Sequence, residues 1–258
     1  MTILGILNLT PDSFSDGASY PTPKSALDAA KLMLDQGADM IDVGGESTRP
    51  GAAPVEADEE LRRVMPVIEL LHQHAIPFSI DTMKVAVAEA ALDAGAAVVN
   101  DVSGLRDPAM FDLVVQRGCG ACVMHMQGSP ANMQIDPTYT NVVDEVKNWL
   151  VTQSNRLVAA GLPAEKIWID PGFGFGKTAE HNFLLLKSLK ALTTTPYAVM
   201  VGFSRKSMLN IDGETLAKDR VAAGIAAQTI AQIAGAKVIR THDVLATKRA
   251  CAFVENYL

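Results

Sequence analysis

The feature that most constrains this chain is an alternation repeated eight times, in which a short apolar run rich in Val and Ile is followed by a longer segment with helical spacing. The runs are ILGILNL (3–9), MIDVGG (40–45), PFSIDT (77–82), AVVND (97–101), ACVMHM (121–126), KIWIDPG (166–172), YAVMVGF (197–203) and KVIRTH (237–242). Helices are expected from near Lys24, Ala57, Val85, Asp107, Thr138, Ala179 and Ala217, with an eighth from Asp243 to the end. Eight βα units in 258 residues match a (β/α)8 TIM barrel in number and size. The alternative, a doubly wound sheet, usually has fewer strands and opens with a glycine-rich turn, whereas NLTPDSFSDG follows the first strand here. No linker rich in Pro, Gly or Ser divides the chain, so a single α/β domain is expected over residues 1–258.

A barrel makes a specific claim about polar residues, because side chains at the C-terminal ends of its strands face the active site. In strand order those ends carry Asn8, Asp42 with Glu46, Asp81, Asn100 with Asp101, His125, Asp170, Ser204 with Arg205 and Lys206, and Arg240 with His242 and Asp243. Some can be helix caps: Thr22 and Thr138 are expected to be, and Asp101 or Asp243 are candidates. Caps do not account for polar groups at all eight ends.

The formal charge of −7 argues against a general nucleic-acid or membrane-surface binder, so an anionic substrate needs a local basic site. No apolar run reaches the ~20 residues that span a bilayer, and the first residues lack a signal peptide's charged and hydrophobic regions; the expectation is a soluble, cytoplasmic protein. Three cysteines, Cys119, Cys122 and Cys251, make a disulfide framework improbable. CGAC matches Cys-x-x-Cys, but it leads into a strand instead of opening a helix, which favours buried, inert thiols over a redox pair.

Two stretches imitate well-known sites. DPGFGFGKT (170–178) looks like a phosphate loop, yet the glycine required four residues before Gly-Lys-Thr is replaced by Pro171, which has no N–H to offer an anion. The dinucleotide fingerprint also fails, since its third glycine falls at Lys177. GFSRKS (202–207) suggests a serine nucleophile elbow, but the Gly needed two places after Ser204 is Lys206, so covalent catalysis is not expected.

Taken together and in order, GILNLTPDSFSDG (5–17), DVGGESTRPGA (42–52), NDVSG (100–104), MHMQG (124–128), DPGFGFGK (170–177), GFSRKS (202–207) and RTHDV (240–244) cover nearly the whole chain. The sequence resembles the dihydropteroate synthases, folate-pathway enzymes of the pterin-binding family. The resemblance implies a TIM barrel, usually a homodimer, that joins 4-aminobenzoate to (7,8-dihydropterin-6-yl)methyl diphosphate with Mg²⁺ and releases diphosphate. Two departures stand out. The chain opens almost directly on its first strand where many members carry a leading segment that closes the barrel floor, and Met83 and Val85 follow SIDT where small residues or proline are expected.

The resemblance also implies residue roles, which chemistry makes intelligible. A pterin presents a ring N–H beside an amino group, and one carboxylate, Asp170, can accept both, while Asn100 offers a donor and an acceptor and Met124 lines the ring. Charge-assisted hydrogen bonds of roughly 1.5–3 kcal/mol select such a ring; the alternative for Asp170 is a strand or helix cap. Asp81 is assigned to the reacting carbon, where its charge stabilises a developing cation, and to pterin hydrogen bonding; otherwise it holds a loop. Asn8 helps hold the metal, and Arg49, Arg240 and His242 contact the diphosphate or the pterin face, with Arg49 alternatively a solvated surface charge. Lys206 reaches the pterin carbonyl. Ser204 and the N-terminus of the following helix meet the aminobenzoate carboxylate, Phe175 gives its ring an apolar wall or packs on its own rim, and Thr48 and Pro50 close over it. Glycines 172, 174 and 176 let the chain turn sharply beside the pterin. His125 and His242 as zinc ligands is the weaker alternative, since no Cys or His spacing supports a closed site. The rival functions are a corrinoid-linked pterin methyltransferase and a catalytically silent pterin-binding paralogue.

Overall fold

The structure is a computed structural model that describes residues 1–10, 20–210, 213 and 216–257. Residues 11–17 of the TPDSFSDG stretch lie outside the described residues.

Eight parallel strands close into a barrel in sequence order. They are β1 (Thr2–Asn8), β2 (Met40–Gly44), β3 (Phe78–Asp81), β4 (Val98–Asp101), β5 (Gly120–Met124), β6 (Ile167–Asp170), β7 (Ala198–Val201) and β8 (Val238–Thr241), and β8 closes on β1 through Leu4 opposite Arg240. Between them lie α1 (Pro23–Asp35), α2 (Ala57–Gln73), α3 (Val85–Asp93), α4 (Pro108–Arg117), α5 (Val142–Ala159), α6 (Ala179–Lys187), the short α7 (Lys190–Thr193) and α8 (Val221–Ile233), with α9 (Val244–Tyr257) after β8. No helix among the described residues is long and apolar enough to cross a membrane.

Period-two alternation along each strand sorts side chains into two cores. Ile3, Leu7, Ile41, Val43, Ile80, Val99, Val123 and Ile169 face outward into the large cluster shared with the helices. Their neighbours turn inward, where Leu4, Cys122, Met200 and Val238, backed by Met40 and Trp168, plug the barrel. Above this plug the inward positions become polar, and that change of character creates the site.

Helix starts follow capping chemistry. Thr22 and Ser25 form a reciprocal capping box, and Asp107 accepts from the Ala109 N–H with Pro108 in the first turn. Two expected boundaries are corrected. Thr138 does not start α5: its backbone N–H is engaged by Gln127, and the cap is Asn141, whose side chain accepts from Val143 and Asp144. The segment from Ala217 begins as a 3-10 turn (Ala217–Arg220), with the α-helix starting only at Val221. Asp101 caps no helix; it accepts from the N–H groups of Ser103 and Leu105 and so folds the loop after β4.

Candidate active site

Asp42, on β2, is fully buried and lies at the centre of the polar layer. Ser79 donates to its Oδ1 at 2.6 Å, Asn100 donates to its Oδ2 at 3.2 Å, and Arg240 Nε lies 2.5 Å from the same Oδ2. The guanidinium then reaches the next strand, with Nη2 at 2.5 Å from Asp81 Oδ2. One planar fork therefore joins β8 to β2 and β3, a geometry a point charge such as Lys cannot reproduce. Asp81 Oδ1 is buried and has no hydrogen-bond partner among the described residues.

Burial and the nearby carboxylates of Asp42, Glu60 and Asp101 raise Asp81 to about 7, against the pull of Arg240. Asp170 is also buried and pushed above the usual carboxylate range by desolvation, with Lys206 the main opposing charge. Its Oδ1 accepts from the Gly172 N–H at 2.7 Å, so it folds its own loop while sitting beside Met124 in the β5–β6 register. Lys206 is pulled down to about 8, chiefly by burial, with Asp170 and Asp81 opposing and Arg240 assisting. Its ammonium hydrogen-bonds the Phe173 carbonyl and lies 4.8 Å from the centre of the Phe175 ring.

The glycine-rich loop turns as its composition requires: Gly172, Gly174 and Gly176 have φ of 66°, 81° and 60°. A Cβ on Gly172 would lie 2.0 Å from the His125 carbonyl, so no other residue fits there. Phe173 is fully buried against Phe203, with ring centroids 4.4 Å apart, whereas Phe175 joins a cluster of Val102, Met124, Met126 and Met133. Met83, the unexpected residue after SIDT, packs into that same cluster.

A second group gathers across the rim. His242 Nδ1 is 3.1 Å from Ser204 Oγ, and its Nε2 is 3.5 Å from Asn8 Nδ2. Asp243 takes Ser204 Oγ at 3.3 Å and Arg205 Nη2 at 3.4 Å. Arg205 holds this position at φ 63°, an unusual conformation for a side chain of its size. Burial, then the charges of Arg205, Arg240 and Arg49, push His242 well below its ordinary value and keep it neutral. Three guanidinium groups thus act on one imidazole, while Arg205 also pairs with Asp243 and Arg240 with Asp42 and Asp81. The segment directly after Ser204 is a 3-10 turn, Ser207–Leu209, and the next α-helix among the described residues, α8, starts at Val221.

Arg49, Thr48 and Pro50 lie in the loop after β2, where Arg49 and Pro50 are exposed. The base of that loop is tied, since Glu46 Oε1 accepts from the Val55 N–H at 2.8 Å and Lys84 Nζ bridges Glu46 and Glu60 at 2.7 and 2.6 Å. Its tip leans toward the loop after β5 through Gly51 N–H to the Pro130 carbonyl at 3.4 Å. No hydrogen bond or ion pair among the described residues joins Thr48 or Pro50 to the other candidates.

The rim thus brings together Asp81, Asn100, Asp170, Met124, Lys206 and Arg240 on one side, and Asn8, His242 and Ser204 on the other. Sequence reasoning placed Asp42 at a strand end without giving it a role, because its partners Ser79, Asn100 and Arg240 are distant in the chain. The Glu46–Lys84–Glu60 bridge left no local signal either.

Residues 4–242 match the family described as pterin binding enzyme. The chain is 42% identical over 257 residues to a dihydropteroate synthase of Escherichia coli strain K12, covering 99% of this chain and 91% of that one. Among solved structures, a Xanthomonas albilineans dihydropteroate synthase with 4-aminobenzoic acid superposes with a TM-score of 0.92 at 42% identity, over 99% of this chain and 92% of that chain. A Burkholderia cenocepacia dihydropteroate synthase complexed with 7,8-dihydropteroate gives a TM-score of 0.89 at 43% identity, over 99% and 91%.

Proposed function

The chain belongs to the pterin-binding enzyme family, and from that membership together with the rim geometry we infer that it acts as a dihydropteroate synthase. It is a transferase that moves a pterinylmethyl group from (7,8-dihydropterin-6-yl)methyl diphosphate to 4-aminobenzoate, giving 7,8-dihydropteroate and diphosphate. The observation that carries the residue-level reading is the linked layer Asn100–Asp42–Arg240–Asp81, with Asp170 and Lys206 at the same rim.

Asp170 and Asn100 take the donor edge of the pterin, Met124 lines its ring, and Lys206 serves the carbonyl. The carbon–oxygen bond to diphosphate breaks first and the diphosphate keeps the electron pair, leaving a cation that the pterin ring shares. The unpartnered Oδ1 of Asp81 supports its assignment to that charge. At about 4 Å and an effective dielectric of ~20, opposite charges attract by roughly 4 kcal/mol, which is about a thousandfold in rate if realised only in the transition state. The neutral amine then forms the carbon–nitrogen bond and loses a proton, with no prior deprotonation needed.

Arg49, Arg240, His242 and Asn8 receive the diphosphate. Arg205, absent from the expected set, adds its charge to theirs. Mg²⁺ suits this donor set, because it is typically bound through few protein oxygens plus substrate phosphates and water, and Asn8 brings an amide oxygen. Asn8 is the protein group that would hold it, and the ion would supply charge neutralisation of the leaving group. Ser204, Phe175, Thr48 and Pro50 are assigned to 4-aminobenzoate; the partly exposed Phe175 ring under Lys206 supports an aromatic neighbour there.

A homodimer is part of the same reading, and exposed apolar side chains support it: Phe183 and Leu184 on α6, Ile230 and Ile233 on α8, and Phe253 on α9. Sedimentation at micromolar concentration tests it, a monomeric mass being the contrary result. The cytoplasm is the proposed compartment, consistent with three free cysteines. Diphosphate release with Mg²⁺, measured with and without 4-aminobenzoate, tests the activity. Release is expected only with the amine, and amine-independent or absent release would remove the proposal.

A further inference from the structure

Lys177, the residue that makes the loop resemble a phosphate site, has no part in the reaction above, yet it is only 3% exposed. Its Nζ lies 3.1 Å from His125 Nδ1, 3.2 Å from the His125 carbonyl, 3.1 Å from the Gly172 carbonyl and 2.9 Å from the Phe175 carbonyl. Three of these partners are carbonyl oxygens, which match the three N–H donors of an ammonium, and His125 Nδ1 is the fourth neighbour. Burial, then the charges of Lys177 and Arg106, lower His125 to about 3, so its ring is neutral. Burial also lowers Lys177, to about 7, and Asp170 is the charge that opposes this.

Two of these carbonyls, Gly172 and Phe175, belong to the loop whose Gly172, Gly174 and Gly176 have positive φ, and the third belongs to His125, just past β5. Without a cation among them their dipoles would repel, and the His125 and Phe175 carbonyls would lose this partner, an unpaired buried acceptor costing on the order of 1–3 kcal/mol, while Gly172 would keep only the Phe175 N–H at 3.0 Å. The same peptide units carry the site. Gly172, whose carbonyl Lys177 holds, donates its N–H to Asp170 Oδ1 at 2.7 Å, and Phe173, the next residue, gives its carbonyl to Lys206. Tyr139 OH holds the Gly176 carbonyl at 2.7 Å and the Phe175 N–H reaches the Gly172 carbonyl at 3.0 Å, while Lys177 joins Gly172 and Phe175 to His125.

We propose that Lys177 is a positioning residue: an internal cation that gathers the carbonyls of the glycine-rich loop, and so fixes Asp170 and Lys206 in the orientation that binds the pterin. The inference rests on the reading of Asp170 and Lys206 as pterin-binding groups, and it gives the Gly-Lys pair a role that involves no phosphate.

The test is calorimetric titration of pterin into the full chain and its variants, with folding followed by circular dichroism. Wild type is expected to bind; if it does not, the assignment of Asp170 fails and the Lys177 proposal goes with it. With wild type binding, Lys177→Met is expected to lose at least tenfold in affinity while Val254→Ala, a buried truncation on α9, leaves affinity unchanged. Lys177→Ala is expected to regain affinity with added ethylammonium chloride and not with sodium chloride at equal ionic strength. Wild-type affinity in a folded Lys177→Met would overturn the proposal. Should that variant not fold, the Lys177→Ala titration decides, and equal effects of the two salts would overturn it.

Discussion

Asp81 and Arg240 meet through a single oxygen: the guanidinium Nη2 lies 2.5 Å from Oδ2, while Oδ1 of the same carboxylate is buried and unpartnered. Half of the carboxylate is thus held still by a fixed cation while the other half remains available to charge that develops on a substrate. Such preorganised electrostatics act without reorganisation at the moment of reaction. Asp81→Asn keeps the shape and removes the charge, so kcat is expected to fall roughly a hundredfold to a thousandfold. Single-turnover kinetics under saturating pterin diphosphate check this, and an unchanged kcat would contradict the assigned role.

The pH dependence follows from the same groups. Asp81, raised to about 7, is neutral below that pH and cannot stabilise a cation, so kcat/KM is expected to rise as pH increases through neutrality. Lys206, lowered to about 8, loses its charge above that pH, so activity falls on the alkaline side. The predicted profile is a narrow bell centred between the two values, and Lys206→Arg should move its alkaline limb upward. A flat profile from pH 6 to 9 would contradict both assignments.

Asp42 is the buried partner on which Arg240 rests. Removing one member of a buried ion pair leaves the other uncompensated, so Asp42→Asn is expected to cost about 3 kcal/mol of stability. Urea denaturation measures it. Pterin affinity should drop as well, because one amide oxygen replaces the two carboxylate oxygens that accept from Ser79, Asn100 and Arg240, and the orientation of Asn100 suffers. A loss below about 0.5 kcal/mol would place Asp42 outside the supporting network.

The eight strands were legible because each is an isolated Val- and Ile-rich run, and the structure displaces their ends by only a residue or two. Cap chemistry was less readable. Thr138 has the side chain of a cap, but Gln127 captures its backbone, a competitor eleven residues away that no local pattern reveals. The helix that follows Ser204 is delayed to Val221, after two 3-10 turns that local spacing does not reveal. The rim residues could be read because each ends a recognisable strand. The residues that hold them, Asp42, Lys84 and Lys177, are defined by partners in other strands and loops, and a linear pattern carries no trace of such contacts.

Binding and turnover should separate between two residues. Asp170→Asn removes a charged acceptor from the pterin site and is expected to weaken pterin binding roughly tenfold to a hundredfold. Arg49→Ala, in the exposed loop after β2, should lower kcat more than it weakens pterin affinity. Titration calorimetry beside steady-state kinetics distinguishes the two effects, and the reverse pattern would exchange the assignments.

The central claim is that one barrel rim grips the pterin on its carboxylate side and draws the diphosphate toward Arg49, Arg205 and His242. A crystal structure with pterin diphosphate, Mg²⁺ and 4-aminobenzoate tests it most directly. The expected electron density shows the pterin edge on Asp170 and Asn100, the methylene carbon facing Asp81 Oδ1, and the diphosphate beside His242. A pterin bound elsewhere, or one whose diphosphate points away from the arginine group, would contradict the account.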